Sequence, residues 1–473
     1  MISFLKQSLT ESEINFKRLF VIAALAIFAW FCIEPQQGLS QQAFHMIIIF
    51  VATMAGIMLE VTKPIAFLLF TMMIANLTNT IDVKQSFSGM SNVVPWLLFL
   101  ILSLSKVITK TTIGLRIAYM FLRYFGHGIT GLSYSIILTE FIISPMLPSN
   151  TARGASVGLP LVTSLSEYIT THVAGTCQRS IGAYLSLLYS SANAVCSALF
   201  FTAMISNAII MEALQNVGIN ATWISWFSFG IIPCGIILII LPFILQVFCN
   251  PGIKNLENLR TQAAKNSKEL GPLTNKEKIV IGVFIGMLLM WIFADKIGVQ
   301  VTVTTILGLC IFITLGIVNV KEMLSCDTTF RSVLMLGLLI SYVNSLVSLG
   351  AVDWFTNFIS GAVQGFSSSA LFILLSTIYF FAHYFFSGEN SRIIALYVPF
   401  LSTGIALGLN PIAYGMTLAA FSSLSDVLTN YSGPVAITMY SSGYVSAKKW
   451  LTCGIVHAIA ILTIWYAYVC FFN

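Results

Sequence analysis

Long apolar runs recur along this chain, and they restrict its fold more than any other feature. Stretches long enough to cross about 30 Å of hydrocarbon recur from Leu19 to the C-terminus. Only 8% of the 473 residues are charged, whereas soluble domains carry about 25%. Continuous runs of this kind predict a polytopic, all-α membrane protein, because a β-barrel would show alternating segments of roughly ten residues.

The distribution of charge and cysteine narrows the class further. The net charge of +6 is explained by basic clusters next to the predicted spans, which place the N-terminus in the cytoplasm and need no nucleic-acid partner. The nine cysteines contain no C-x-x-C pair, so we expect neither a zinc site nor a disulfide framework.

The order of spans predicts two inverted repeats. We expect about eleven transmembrane helices and two re-entrant hairpins, because two regions have an apolar arm, a polar tip and a second arm. The predicted segments are an N-terminal segment with the first helix (1–42), a first repeat (43–249) with a hairpin at 129–168, a cytoplasmic linker (250–277), and a second repeat (278–473) with a hairpin at 371–407. Each repeat contains five spans, so the two repeats would face opposite ways.

The hairpin tips carry polar groups that are costly to place in a membrane. The first tip reads PSNTARG (Pro148–Gly154) and the second reads GENSRI (Gly388–Ile393). A helix that begins at such a tip directs its N–H groups at an anion, oxygens there can coordinate sodium, and a guanidinium can grip a carboxylate. The alternative is that the polar residues only cap helices. The candidate residues at the tips are Ser149, Asn150, Thr151, Arg153, Glu389, Asn390, Ser391 and Arg392.

Each hairpin is followed by a span with an unusual centre. These centres are YSSANAV (Tyr189–Val195) and LTNYSGPVA (Leu428–Ala436), and we expect unwound backbone at Ser190–Asn193 and Thr429–Gly433. The candidates there are Ser190, Ser191 and Asn193 for a cation, and Thr429, Asn430, Gly433 and Pro434 for substrate. Two carboxylates within apolar runs, Glu140 and Asp426, serve either proton coupling or a structural pair.

These residues resemble a known family. The string SNTA (Ser149–Ala152) and the segment Pro434–Trp450 resemble signatures of the divalent anion:sodium symporter family, and LTNYSGP with SNTARG is most similar to its bacterial citrate/succinate and oxoglutarate/malate translocator branch. The resemblance implies a homodimer in which a scaffold holds the dimer and a transport domain moves in an elevator-like displacement. It also implies di- or tricarboxylate substrates, sulfate in some members, and sodium as the coupling ion.

The family's two signatures can be matched to this sequence residue by residue, and the sequence departs from them at some positions. The resemblance assigns the first signature to Ser149, Asn150 and Thr151, and the second to Glu389, Asn390 and Ser391. These first-tip residues, together with Glu389 and Asn390, are the implied ligands of a substrate or of sodium. Glu389 replaces a hydroxyl, and Gly433–Ala436 replaces a Thr-Pro-Pro-Asn-like string, so exchange stays open beside sodium symport. Arg153 and Arg392 would then be fixed positive charges where other members bind sodium.

Together these features predict a secondary active transporter of di- or tricarboxylates of the succinate, malate, fumarate, 2-oxoglutarate and citrate class. It would work in the cell inner membrane as an exchanger or sodium-coupled symporter, without a cofactor other than sodium. Its partners would be a carboxylate, the lipid bilayer and a second copy of the chain. The alternatives are transport of another divalent anion such as sulfate, an anion channel, or an intramembrane enzyme. The sequence contains no H-E-x-x-H motif, so we do not expect an enzyme.

Overall fold

The computed structural model describes residues 14–59, 61–173, 176–253, 256–324, 327–362, 365–386 and 388–472. Within these ranges every regular element is a helix. The helices up to residue 270 are α1 (Phe16–Cys32), α2 (Gln41–Met58), α3 (Pro64–Leu77), α4 (Val93–Thr109), α5 (Ile113–Phe125), α6 (Gly128–Ile143), α7 (Asn150–Arg153), α8 (Leu159–His172), α9 (Gln178–Leu199), α10 (Ser206–Asn216), α11 (Trp223–Cys249) and α12 (Glu257–Glu269).

The remaining helices are α13 (Asn275–Ile292), α14 (Val301–Thr314), α15 (Asp327–Ser348), α16 (Ala351–Ala362), α17 (Ser368–Phe381), α18 (Glu389–Ala406), α19 (Pro411–Leu424), α20 (Pro434–Ser441) and α21 (Ala447–Phe472). Short helical turns occur at Val83–Ser86, Ser88–Ser91, Gly154–Gly158, Phe201–Ala203, Ala294–Ile297, Val320–Leu324, Ala382–Phe385 and Ser425–Val427.

Several of these helices can cross a membrane. By length and composition, five described helices qualify, and α4 with α5, bent by 59° at their junction, makes a sixth if the pair is one span. The five are Gln41–Met58, Trp223–Cys249, Thr329–Ser348, Ser368–Phe385 and Ala447–Phe471. Other apolar helices are shorter, for example Pro64–Leu77 and Val301–Thr314. The polytopic helical class is therefore confirmed, while the count of eleven spans stays a prediction.

Polar caps and prolines fix where helices begin. Thr222 and Ser225 form a capping box at the start of α11, and Thr274 and Glu277 form another at the start of α13. Each box satisfies N–H groups that have no partner within the helix. Helices α3, α19 and α20 begin with proline, whose missing N–H costs nothing at the first helical position.

The chain divides into two compact units, and each combines segments from both halves of the sequence. The first unit comprises Met1–Trp96, Asp327–Phe366 and Ile394–Leu407. The second comprises Leu97–Cys326, Ser367–Ile393 and Gly408–Asn473. Both polar tips belong to the second unit. The predicted division into inverted repeats is a different grouping and stays a prediction.

The first unit packs around α15. The Tyr342 hydroxyl, on α15, lies 2.7 Å from the Thr71 Oγ1 on α3, a buried polar link between the two helices. The turn Ser88–Ser91 also lies against α15, where the Gly89 N–H donates to Ser341 Oγ at 2.9 Å. A Cβ on Gly89 would lie only 2.1 Å from the Gly337 carbonyl oxygen, so this close approach requires glycine.

The second unit is built around α9. Every residue of this helix from Ile181 to Leu199 is buried, and α9 packs on α6, α8, α11 and α19. Polar side chains from its neighbours bond to its backbone: Ser423 Oγ donates to the Ala194 carbonyl at 2.8 Å, and Trp226 Nε1 donates to the Ala198 carbonyl at 2.9 Å. The most polar of the predicted spans is therefore a central helix of this unit.

The predicted break at Ser190–Asn193 is wrong, because α9 is continuous through these residues. Their polar side chains are buried within the protein, so the helical backbone need not open to satisfy them. The helix instead breaks after Leu199, where Phe200 is extended and one 3₁₀ turn (Phe201–Ala203) precedes α10. The sequence here, FFTAMI, contains no glycine or proline that would signal a break.

The second predicted break agrees with the structure. Helix α19 ends at Leu424, one 3₁₀ turn follows at Ser425–Val427, and α20 begins at Pro434. Residues 428–433 are not helical. Proline at the first position of α20 stops the backbone from continuing as one helix through this point.

Candidate functional site

The first polar tip joins α6 to α7. Helix α6 ends at Ile143, and Ser149 is extended, with φ −132° and ψ 109°. Its hydroxyl accepts a hydrogen bond from the Ala152 N–H at 3.2 Å, so Ser149 caps α7. Asn150 is buried at the first position of this helix, whereas Thr151 is exposed. The tip therefore combines a helix cap with one buried amide and one accessible hydroxyl.

A π-helical turn at Gly154–Gly158 follows the first tip and leads into α8. A Cβ on Gly158 would lie 2.3 Å from the Tyr189 ring, and a Cβ on Gly154 would lie 3.1 Å from Val435. Single π turns are frequent at functional sites. Here the two glycines let the tip lie close to α9 and to α20.

The second polar tip joins α17 to α18. A 3₁₀ turn at Ala382–Phe385 follows α17, Phe386 is extended, and α18 begins at Glu389. Glu389 is buried and Asn390 is half-buried. Ser391 lies in α18, and its side chain lies outside the described residues. A carboxylate thus occupies the helix position that the Asn150 amide occupies at the first tip.

The two tips contact each other. Asn150 Nδ2 donates to both carboxylate oxygens of Glu389, at 3.0 and 3.1 Å. Beside this contact, Ser206 Oγ, at the start of α10, hydrogen-bonds Asn390 Oδ1. The first helix break thus reaches the second tip, although these residues are far apart in the sequence.

Arg153 is completely buried in a network of protein groups. Its Nε donates to Glu140 at 2.6 Å and its Nη2 to Ser197 Oγ at 2.7 Å, while its Nη1 bonds the carbonyls of Leu147 and Ala203 at 2.7 and 2.6 Å. The guanidinium therefore joins the first tip to the end of α9 and to the first break. It is held by the protein on several sides rather than projecting toward a ligand.

Glu140 is the other half of this network. Besides Arg153, it accepts hydrogen bonds from Tyr189 at 2.6 Å, Asn193 at 2.6 Å and Ser144 at 3.1 Å. Of the two roles left open by the sequence, the structure shows the structural pair. It also places Asn193, a predicted cation ligand, in this network.

Arg392 makes a similar network at the second tip. This fully buried guanidinium hydrogen-bonds Ser425 Oγ and the Ser422 carbonyl. It also lies 3.8 Å from Asp426 Oδ1 and 5.9 Å from the centre of the Tyr379 ring. Each arginine is the fourth residue of the helix that begins at its tip, and each ties that tip to the neighbouring helix break.

The second break contains buried polar atoms with no hydrogen-bond partner among the described residues. These atoms include Thr429 Oγ1 and Asp426 Oδ1. Ser432 Oγ donates to the carbonyls of Asp426 and Thr429 at 2.5 Å each. A Cβ on Gly433 would lie 2.5 Å from Asp426 Oδ2, so glycine makes room for the carboxyl.

The remaining candidates occupy more peripheral places. Asn430 and Pro434 are half-buried at the second break. Ser190 and Ser191 are buried on α9 and line a small cavity together with Val427. They lie on regular helix, so their backbone groups are engaged in the helix rather than free for a ligand.

Sequence reasoning missed the hydroxyls that complete these networks. The hydroxyls of Ser197, Ser206 and Ser425 lie at or within one turn of a helix break and bond Arg153, Asn390 and Arg392, respectively. The closeness of these serines to a helix break could have identified them, but the sequence gave no sign of the first break.

Comparison with known proteins fits this arrangement. The family model of the sodium:sulfate symporter transmembrane region matches residues 13–472. A Bacillus subtilis protein provisionally named a malate transporter, YflS, is 32% identical over 96% of this chain and 95% of its own length. The Arabidopsis thaliana chloroplastic dicarboxylate transporter 1 is 30% identical over 95% of this chain and 81% of its own. The L-tartrate/succinate antiporter of Escherichia coli K12 is 27% identical over 80% of this chain and 78% of its own.

A solved structure supports the fold at greater distance. That of Neisseria gonorrhoeae MtrF, described as one of a class of antimetabolite efflux pumps, is similar with a TM-score of 0.54 and 12% identity, over 95% of this chain and 97% of that one. At this identity the likeness concerns the fold alone.

The family match and the names of these relatives thus identify a polytopic membrane transporter rather than an enzyme. The chain belongs to the sodium:sulfate symporter family, the divalent anion:sodium symporters that its sequence resembles.

Proposed function

We propose that this protein exchanges dicarboxylates such as succinate and malate across a bacterial-type inner membrane. Relatives that match most of the chain are named for malate, dicarboxylate or tartrate/succinate transport. Two polar tips in contact also suit a substrate with a carboxylate at each end.

In this proposal the tips and the second break bind the substrate. The exposed hydroxyl of Thr151 and the half-buried amides of Asn390 and Asn430 are the accessible donors. Helices α10 and α20 begin beside them, and helix N-termini favour anions. The remaining proposed substrate residues are Ser149, Asn150, Ser391, Thr429, Gly433 and Pro434.

The two arginines act from behind the binding groups. Arg153 and Arg392 are buried and bonded to protein groups, so they hold the tips in place without contacting the substrate carboxylate. We assign them the role of fixed, positioning charges, instead of the direct carboxylate clamps that the sequence suggested.

The support for exchange comes from the backbone carbonyl oxygens to which these guanidinium groups are bonded. Carbonyl oxygens at broken helices are the usual sodium ligands of such transporters. Here the N–H groups of Arg153 bond the carbonyls of Leu147 and Ala203, and those of Arg392 bond that of Ser422. These places do not fit a sodium ion. A cation that is covalently part of the protein cannot leave, so no sodium ion is carried from these two places, which favours transport driven by a counter-substrate.

We extend the proposal to assembly and movement. Both tips and both helix breaks lie in the second unit, which supports this unit as the body that moves in an elevator-type mechanism, within a homodimer whose N-termini are cytoplasmic. Mass measurement of the purified protein in detergent tests the dimer, and a mass equal to one chain contradicts it.

Counterflow in liposomes tests the exchange. Labelled succinate is supplied outside vesicles that contain unlabelled malate or buffer only, each with sodium or choline in the medium. We expect saturable uptake that requires internal malate and does not change when choline replaces sodium. Sodium-dependent uptake into empty vesicles would establish a symporter, and uptake that does not saturate would establish a channel. Strong inhibition by sulfate, with little by malate, would move the substrate to the inorganic anions.

Site variants complete the test. Asn150→Ala should lose exchange while keeping the wild-type elution profile, because Asn150 joins the two tips. Asn216→Ala, at an exposed position at the end of α10, is the matched control. Exchange that survives in a folded Asn150→Ala variant would contradict the site assignment.

A further inference from the structure

A large apolar cavity lies beside the first tip, within the second unit. Its volume is about 710 Å³, and its walls are apolar except for Arg116 and Ser267. Ile142 and Ile285 in these walls are 42% and 51% exposed, so the cavity is open to the outside. Burial of a carboxylate against such a lining is unfavourable. The cavity therefore suits an apolar occupant and not the substrate of the tips.

The length of the cavity matches one leaflet of a bilayer. Helix α13 lines it from Ile281 to Ile292, and these eleven positions correspond to about 16 Å along a helix axis. The hydrocarbon region of a bilayer is about 30 Å thick, so the acyl chains of each leaflet cover about 15 Å. One acyl chain would therefore extend along the whole cavity.

One end of the cavity is polar. Arg116, near the start of α5, donates to the Gly271 carbonyl at 2.7 Å and pairs with Glu277 at 3.2 Å. These contacts join the start of α5 to the start of α13. Ser267 and Leu273, from the segment between α11 and α13, line the cavity at the same place. The polar end of the cavity is thus built from the part of the chain that carries most of its surface charge.

Exposed lysines lie around this polar end. Lys278 lies three positions before Ile281, so it occupies the same face of α13 one turn beyond the cavity. Lys268 directly follows Ser267, and neither lysine has an acidic partner among the described residues. The segment Lys265–Lys278 and Arg116 together carry a net charge of +3. Basic groups at the end of an apolar cavity between helices complement the headgroup of an anionic lipid.

We propose that this cavity binds one acyl chain of an anionic phospholipid, whose phosphate lies at Lys268 and Lys278. The chain lies along α13 and contacts Pro145 and Met146, which lead into the first tip, and Phe200, which forms the first break. The lipid thereby fills the space between α13 and these residues and restrains the first tip. This inference does not depend on which substrate the protein carries.

Native mass spectrometry of the whole protein measures the lipid binding directly. Detergent-purified protein is titrated with phosphatidylglycerol or with phosphatidylcholine that carries the same acyl chains. We expect one phosphatidylglycerol per chain to bind at least about tenfold more tightly than phosphatidylcholine, the preference expected from two lysines beside the headgroup. Equal affinities for the two lipids would overturn the proposal.

Two variants locate the lipid. Ile285→Trp places a larger ring in the cavity and should remove the tight binding, whereas Leu289→Trp, 49% exposed on the same helix and outside the cavity wall, should keep it. The double variant Lys268→Gln with Lys278→Gln should bind both lipids equally, whereas Lys296→Gln, exposed just beyond the other end of α13, should keep the preference. Tight phosphatidylglycerol binding that persists in Ile285→Trp or in the double variant would overturn the assignment. If Ile285→Trp does not fold, the double variant and the wild-type titration still decide.

Hydrogen exchange tests the restraint of the tip. In nanodiscs, phosphatidylglycerol should slow amide exchange in residues 141–147 several-fold relative to phosphatidylcholine, and this difference should be missing in Ile285→Trp. The same exchange rate in both lipids would refute the restraint. A change in the mass of the assembly in Ile285→Trp, with unaltered lipid binding, would assign the cavity to a contact between two copies and overturn the proposal. Neither measurement uses succinate, so a wrong substrate under the proposed function would leave this test unaffected.

Discussion

Arg153→Met separates a structural role of this arginine from a substrate contact. The guanidinium is completely buried and makes four hydrogen bonds, to Glu140, Ser197, and the carbonyls of Leu147 and Ala203. Methionine fills much of the same space without charge. The substitution therefore leaves the carboxylate of Glu140 buried without its cation.

The expected loss of stability in Arg153→Met follows from this geometry. Removal of one partner of a buried ion pair costs about 3–5 kcal/mol, since the other charge stays buried. Tyr189, Asn193 and Ser144 still donate to Glu140, which moves our expectation to the lower half of that range. Neutralising the acid as well should recover part of the loss, so the double variant with Glu140→Gln should be more stable than additivity predicts, by about 2 kcal/mol.

The assay is reversible unfolding in mixed micelles, followed by tryptophan fluorescence, for the wild type, both single variants and the double variant. Arg179→Met, at an exposed position, is the control and should change stability by less than about 0.5 kcal/mol. Additive losses would refute the ion-pair reasoning. Wild-type stability in Arg153→Met with a large rise in the KM for succinate would restore the direct carboxylate clamp.

Three further predictions concern the tips, a tight contact and the capping box. Asn150→Ala removes the amide that bonds both oxygens of Glu389, so succinate affinity should fall about ten- to hundredfold in calorimetry, and an unchanged affinity would exclude Asn150 from the site. Gly454→Ala would place a methyl group 2.5 and 2.7 Å from two backbone carbonyl oxygens, so thermal unfolding should show a loss of stability of about 1–3 kcal/mol. Gly235→Ala, with open space around the Cβ, is the control and should leave stability unchanged. Equal stability of the two variants would contradict the contact. Burial alone would raise the pKa of Glu277, but hydrogen bonds from threonine and arginine side chains lower this pKa to about 2. Its stabilising contribution is therefore present above the ordinary pKa of 4.5 and lost as the pH falls toward 2; Glu277→Gln should flatten the unfolding free energy over that window, and an unaltered pH profile would refute this assignment.

The tips and the breaks differ in how far the sequence could predict them. Ser149, Asn150 and Arg153 stand out because polar residues in an apolar run need a reason, and that reasoning located both tips. The second break could also be predicted from the local sequence, because Gly433 and Pro434 are poor helix formers. The first break falls on apolar residues that have no such local preference, so only packing against the rest of the second unit reveals it.

Reasoning from the local sequence placed groups at the site without fixing their partners. It brought Arg153 near a tip but could not show that Glu140, thirteen residues earlier, would take its charge. It likewise treated Ser190–Asn193 as unwound, because polar residues in a span suggested exposed backbone. The structure satisfies Asn193 through Glu140 instead, and the helix stays intact.

The amino-acid sequence by itself determined the membrane class, the helical architecture and the positions of the two polar tips. These follow from hydrophobic length and from the cost of burying polar groups, which are properties of local segments. Only the tertiary structure decided that Asn150 bonds Glu389, that Ser206 reaches Asn390, and that Arg153 pairs with Glu140. Such contacts join residues up to 239 positions apart. They are set by how the helices of the second unit pack, which no local pattern encodes.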